Sequence, residues 1–207
     1  MSGDSGNNWE MRNRIAQIAA RLMAVDGISD YALAKRKAAR QAGAPETRNL
    51  PNNDEVEQAL RAYQQLYQAD EQPARLRYLR HRALEMMRLL APFDPHLSGS
   101  VLSGSAGKYA AIEIHLFADS VKDVEMFLIN RQIPYRSRER RVYLGDEPRS
   151  APLYLVSTDQ ADFEVTVFEP RDLRQQLRAT AEGRPFEQVR IDWLDSALAD
   201  SETGSGS

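Results

Sequence analysis

Apolar residues recur along the chain with two different periods, and the change from one to the other divides it. In the first part the spacing is helical. Ile15, Ile18, Ala19, Leu22 and Met23 share one face, which predicts an amphipathic helix over Trp9 to Val25, ended by Asp26-Gly27. Ser29 or Asp30 is placed to cap a second helix, Tyr31 to Gln41, which stops before Gly43 and Pro45. Asn53, Asp54 and Glu55 open a third helix with acidic residues where the helix dipole favours them. Its stripe is Val56, Ala59, Leu60, Tyr63, Leu66 and Tyr67. Pro73 suits the first turn of a fourth, whose stripe of Leu76, Leu79, Ala83, Met86, Met87 and Leu90 ends before Pro92.

Beyond Pro92 the period shortens to two. After a Gly/Ser-rich loop, Gly99 to Gly107, residues 110–117 alternate, with Ile112, Ile114 and Leu116 on one face and Ala111, Glu113, His115 and Phe117 on the other. A helix follows from Asp119 or Ser120 to Ile133-Pro134, carrying Val121, Val124, Phe127 and Leu128. Tyr135 to Leu144 reads as a charged strand and Gly145 to Ser150 as a turn. Pro152 to Ser157 and Asp162 to Phe168 are strands rich in β-branched and aromatic residues. Pro170 opens a helix to about Ala181, and a short helix lies near Val189 to Leu198. The expected class is α+β: an N-terminal helical region followed by a small mixed β-sheet flanked by helices. The expected division is a disordered N-terminus at 1–8, a helical region at 9–91, an α+β domain at 92–199 and a flexible tail at 200–207.

Composition narrows this picture only a little. The 207 residues carry a net charge of −3, so there is no global attraction to nucleic acid. The absence of cysteine excludes disulfides and thiolate metal sites. No apolar run approaches the roughly 18 residues of a membrane span, and residues 1–8 lack the order of a signal peptide. A cytoplasmic protein without a membrane partner is expected. The helices over 54–69 and 73–91 can pair within the chain or with another copy, so a homo-oligomer through the helical region stays open.

Candidate chemistry concentrates in Ser98 to Phe117. The order Gly99-Ser100-Val101-Leu102-Ser103-Gly104-Ser105-Ala106, then the strand Ala111-Ile112-Glu113-Ile114-His115-Leu116, then the later strand Asp162-Phe163-Glu164-Val165-Thr166-Val167-Phe168, resembles the nucleotidyltransferase superfamily built on the DNA polymerase β-type palm. The resemblance covers roughly residues 95–180. It implies a nucleotidyltransferase-like domain in which a hydroxyl attacks the α-phosphorus of an NTP (ATP first) and pyrophosphate leaves. The acceptor would be a protein, a nucleic acid or a small molecule. Gly99, Ser100 and Gly104 would bind the nucleotide, since backbone N–H groups at a Gly-Ser turn suit phosphate. Glu113 and Glu164 would be catalytic, and Glu113, His115 and Glu164 would hold Mg²⁺ or Mn²⁺. Hard cations want carboxylates, and period two places alternate residues on one face. Glu164 is preferred to Asp162 as nearer the strand middle.

The family pattern asks for two carboxylates on the first strand. Aligned one way they fall on Ala111 and Glu113, and aligned the other way on Glu113 and His115, so one is missing. Imidazole suits Mn²⁺ or Zn²⁺ better than Mg²⁺. The alternative is therefore a catalytically inactive nucleotidyltransferase-fold binding or interaction protein. Two basic clusters keep two readings each. Lys35, Arg36, Lys37 and Arg40 form a solvated helix face or meet a nucleic-acid backbone. Arg136, Arg138 and Arg140 share a strand face that reaches triphosphate or an acidic partner, or that guards a sheet edge.

Overall fold

The computed structural model describes residues 3–28, 30–45, 47, 49–67, 71–179 and 185–203. Among these, seven α-helices and one seven-stranded mixed sheet form two compact units. The first comprises residues 1–74 and 104–110, the second 75–103 and 111–207. The sequence boundary at 91/92 thus falls inside the second unit.

The first unit is helical. Helix α1 (Gly3–Val25) packs against α2 (Tyr31–Gln41) and α3 (Asn53–Tyr67). The core is rich in alanine: Ala16, Ala19, Ala20, Ala34, Ala38 and Ala39 join Ile15, Met23, Val56 and Leu60. Small side chains let helix backbones approach closely. Asp30 caps α2 by accepting from the Leu33 N–H at 3.0 Å; Ser29, the alternative cap, lies outside the described residues. At the start of α3, Asn52 and Glu55 form a reciprocal box. The Glu55 N–H donates to Asn52 Oδ1 at 2.8 Å and the Asn52 N–H donates to Glu55 Oε2 at 2.6 Å. Arg12 of α1 clamps the same carboxylate, through Nε at 2.8 Å and Nη2 at 2.7 Å. This bond, more than any other cause, holds the Glu55 carboxyl below its ordinary value.

The second unit holds α4 (Glu71–Leu89, shared at its start with the first), β1 (His96–Ser98), α5 (Gly99–Ser103), β2 (Ile112–Phe117), α6 (Val121–Asn130), β3 (Tyr135–Leu144), β4 (Glu147–Ser157), β5 (Asp162–Phe168), β6 (Leu177–Arg178), β7 (Gln188–Val189) and α7 (Ile191–Thr203). The sheet order is β6-β3-β4-β5-β2-β1-β7. Strands β2 and β5 run parallel at its centre and the other neighbours are antiparallel. One face is apolar: Ile112, Ile114, Leu116, Phe163, Val165, Val167, Tyr154 and Val156 are all buried. Tyr135 shares this face, and its hydroxyl donates to Glu125 of α6 at 2.8 Å, which puts α6 on that side. The opposite face carries Glu113, His115, Glu164 and Thr166.

Several expectations need correction. Helix α1 begins at Gly3 rather than Trp9, because extending a formed helix costs little per residue. Leu66 and Tyr67, placed on the buried stripe of α3, are exposed, whereas Gln64 is buried. Its amide donates to the carbonyls of Ser105 and Ala106 at 3.3 and 3.4 Å, so burial follows a partner rather than the apolar pattern. The stretch Gly99 to Gly107 opens as the helix α5 rather than as a loop. The expected turn at Gly145 to Ser150 is shorter: β4 starts at Glu147 and pairs with β3 as a two-residue hairpin, with Gly145 at φ +60°. The helix expected from Pro170 stops at Arg174 as a 3₁₀ turn, and β6 follows. Its expected end at Ala181 lies outside the described residues. The last helix starts at Ile191 and reaches Thr203, inside the expected tail, whose residues 204–207 lie outside the described residues.

Candidate functional site

The site grows from the junction of β1 and α5. Ser98 ends β1 opposite Glu113, and its hydroxyl donates to the Glu187 carbonyl at 2.8 Å. Gly99 then takes φ +69°, a left-handed conformation that turns the chain into α5 and that side chains with a Cβ adopt at a cost. The glycine has a second reason. The Glu113 carboxylate lies against it, where any Cβ would collide with Oε1. The last turn of α5 is held by Arg80, whose Nε and Nη2 donate to the Val101 and Leu102 carbonyls at 3.3 and 3.1 Å.

Parallel pairing of β2 with β5 sets Glu113 beside Glu164 and His115 beside Thr166, all on one face. The two carboxylates share one cation. Arg140 of β3 donates from Nη2 to Glu113 Oε2 at 2.7 Å, and its Nη1 lies 3.7 Å from Glu164 Oε2. The residue opposite Arg140 is the small, buried Ala151, which leaves the long arm room. The guanidinium carbon lies 5.8 Å from the centre of the Phe186 ring. Burial raises the Glu164 carboxyl above its ordinary value, Glu113 adds to this, and Arg140 opposes it.

His115 is buried, with its ring edge-on to Phe168 at 5.0 Å and to Phe186 at 4.8 Å. Nδ1 lies 3.2 Å from Gln188 Oε1. Burial pushes its pKa down to about 4, so at neutral pH the ring is uncharged. Nε2 of His115, Oγ1 of Thr166 and Nη1 of Arg140 are buried without a hydrogen-bond partner.

Of the residues singled out in the sequence, Gly99, Glu113 and Glu164 come together, with Ser100 next to Gly99 on α5. His115 lies one position on along the same face but is engaged by Gln188 and two phenylalanines. Gly104 closes α5 at φ +87° and belongs to the first unit, its carbonyl 3.4 Å from Gln72 Nε2. Asp162 sits exposed at the start of β5. Arg140 was read from the sequence only as one of a basic cluster, while the roles of Thr166, Phe186 and Gln188 escaped sequence reasoning. Arg140 had a signal, its alternation with Arg136 and Arg138. Phe186 and Gln188 had none, because they reach the site from a distant segment.

The two carboxylates that the resemblance would offer to a divalent ion face Arg140. The described residues hold no group of three His, Cys, Asp or Glu side chains able to bind one. The two carboxylates already share a guanidinium, and a phosphate at Gly99 would face the Glu113 carboxylate. Chemically the trio is an ion cluster with one short hydrogen bond, Arg140 to Glu113, and a longer ion pair to Glu164. No helix among the described residues is long and apolar enough to cross a membrane. Comparison with known proteins brings no matching family model, no matching curated protein and no matching solved structure.

Proposed function

We propose that the chain is a non-catalytic interaction protein built on a nucleotidyltransferase-like domain. The observation that carries this reading is the position of Arg140. It joins Glu113 to Glu164 beside Gly99, where the resemblance calls for a metal ion. The guanidinium offsets one of the two carboxylate charges but offers no open coordination position. The cluster then supports the fold instead of activating a hydroxyl.

A transferase is the second reading, favoured by the shared face of Glu113 and Glu164 next to Gly99. The deciding experiment incubates the full chain with α-labelled NTPs, in Mg²⁺ and separately in Mn²⁺, with protein and nucleic-acid acceptors. The expected result is no labelled product and no thermal shift from ATP with either metal. Label transfer that disappears in Glu113→Gln overturns the non-catalytic reading in favour of the transferase.

A further inference from the structure

Strand β3 pairs with β4 along all ten of its residues, Tyr135 to Leu144. On its other side it pairs with β6 only at Tyr143 and Leu144. Among the described residues, Tyr135 to Val142 therefore form an open sheet edge, about 27 Å long at the rise of an extended strand. Such an edge offers unpaired main-chain donors and acceptors to any strand able to approach it.

What can approach is set by charge. Residues 135–142 carry Arg136, Arg138, Arg140 and Arg141 against Glu139. Arg140 turns inward to Glu113, and Ser150 Oγ donates to Glu139. Arg136 and Arg138 are exposed, lie on one face of β3 and make no ion pair with a described residue. Arg141 is exposed on the other face, over Tyr143. A second copy of the same edge brings like charges together and is repelled. An extended segment with carboxylates at alternate positions matches Arg136 and Arg138 at the same spacing.

We infer that the β3 edge, Tyr135 to Val142, binds an acidic extended segment of a partner protein by strand addition. This names a partner class for the interaction reading and rests on that reading only for its biological purpose. The label-transfer assay tests catalysis and a peptide titration tests the edge, so each fails by itself.

The probe is a fluorescein-labelled eight-residue peptide alternating glutamate with threonine, titrated with the full chain and followed by anisotropy. Binding is expected, weakening as salt rises. Replacing every glutamate with glutamine is expected to weaken it about tenfold, as is the double variant Arg136→Glu, Arg138→Glu. These two arginines are exposed, so the variant keeps its circular dichroism spectrum. A peptide of equal charge with prolines in place of threonines is expected not to bind, since it cannot join a ladder. Equal binding of the proline peptide reduces the edge to a diffuse basic patch and overturns the inference. So do absence of binding, preference for a nucleic-acid oligomer, and self-association of the chain through this edge.

Discussion

Glu113 and Glu164 occupy opposite positions on adjacent parallel strands, and one guanidinium serves both. Two carboxylates so placed repel each other unless a cation or a proton intervenes. Arg140 supplies the cation; the Glu164 carboxyl is still raised, chiefly by burial and then by Glu113.

Removing that cation exposes the conflict. Arg140→Ala is expected to destabilise the protein by about 2 kcal/mol in urea titration, less than for a fully buried pair because all three side chains retain some exposure. Adding Glu164→Gln is expected to restore part of the loss. Arg140→Ala should also gain a thermal shift from Mn²⁺ that the wild type lacks, since the carboxylates are then free to accept a cation. Equal response to Mn²⁺ in both proteins would argue against Arg140 as the group that keeps a cation from the two carboxylates.

Gly99→Ala combines two costs, a Cβ driven into Glu113 and a left-handed backbone. A loss of about 2 kcal/mol or more is expected from chemical denaturation. Glu113→Ala in the same chain relieves the collision but not the backbone strain, so rescue should be incomplete. Full rescue would leave the backbone term without weight.

His115 makes stability depend on pH with a defined sign. Its folded pKa of about 4 lies below the ordinary 6.5, so between these values the unfolded chain binds the extra proton. Stability from this group is complete above about 6.5 and is lost as pH falls toward 4, by up to about 3 kcal/mol. Glu164 acts oppositely, since a raised carboxyl penalises the fold as pH rises above 4.5. The contribution of His115 is therefore isolated by difference. His115→Phe should show a flatter stability profile between pH 4 and 6.5 than the wild type. Superimposable profiles would place the ring in contact with water.

In the first unit Glu55 should lose its contribution in acid, as His115 does and Glu164 does not. Its carboxyl is lowered chiefly by the Arg12 hydrogen bond, so its contribution is present above the ordinary 4.5 and lost as pH falls through the lowered value. Arg12→Met is expected to cost about 1 kcal/mol at neutral pH, with the difference shrinking in acid and in high salt. Thermal melts across pH and salt check this.

The parts of the fold that were legible from residues alone carry strong local signals. Helix α2 runs Tyr31–Gln41, as its cap and its Gly/Pro stop predict, and β5 runs Asp162–Phe168, as its β-branched and aromatic residues predict. Strands β1, β6 and β7 were not legible: with two or three residues each, they exist through pairing with distant partners. The site divides in the same way. Glu113 and Glu164 share a face because alternation fixes one and parallel register the other. That Arg140, rather than Arg136 or Arg138, reaches them depends on the register across β4, on the small Ala151, and on Phe186 arriving from elsewhere.

The assignment of Gly104–Ala110 to the helical unit has a consequence for dissecting the protein. The chain leaves that unit at residue 74 and re-enters it for seven residues before leaving again. A fragment ending at 91 therefore lacks the carbonyls of Ser105 and Ala106, and the buried Gln64 amide loses its acceptors. During synthesis the helical unit is incomplete until residue 110 has emerged, by which time α4, β1 and α5 of its companion have been made. The two units cannot be divided with a single cut, and neither can be inherited, expressed or swapped as one uninterrupted stretch of gene.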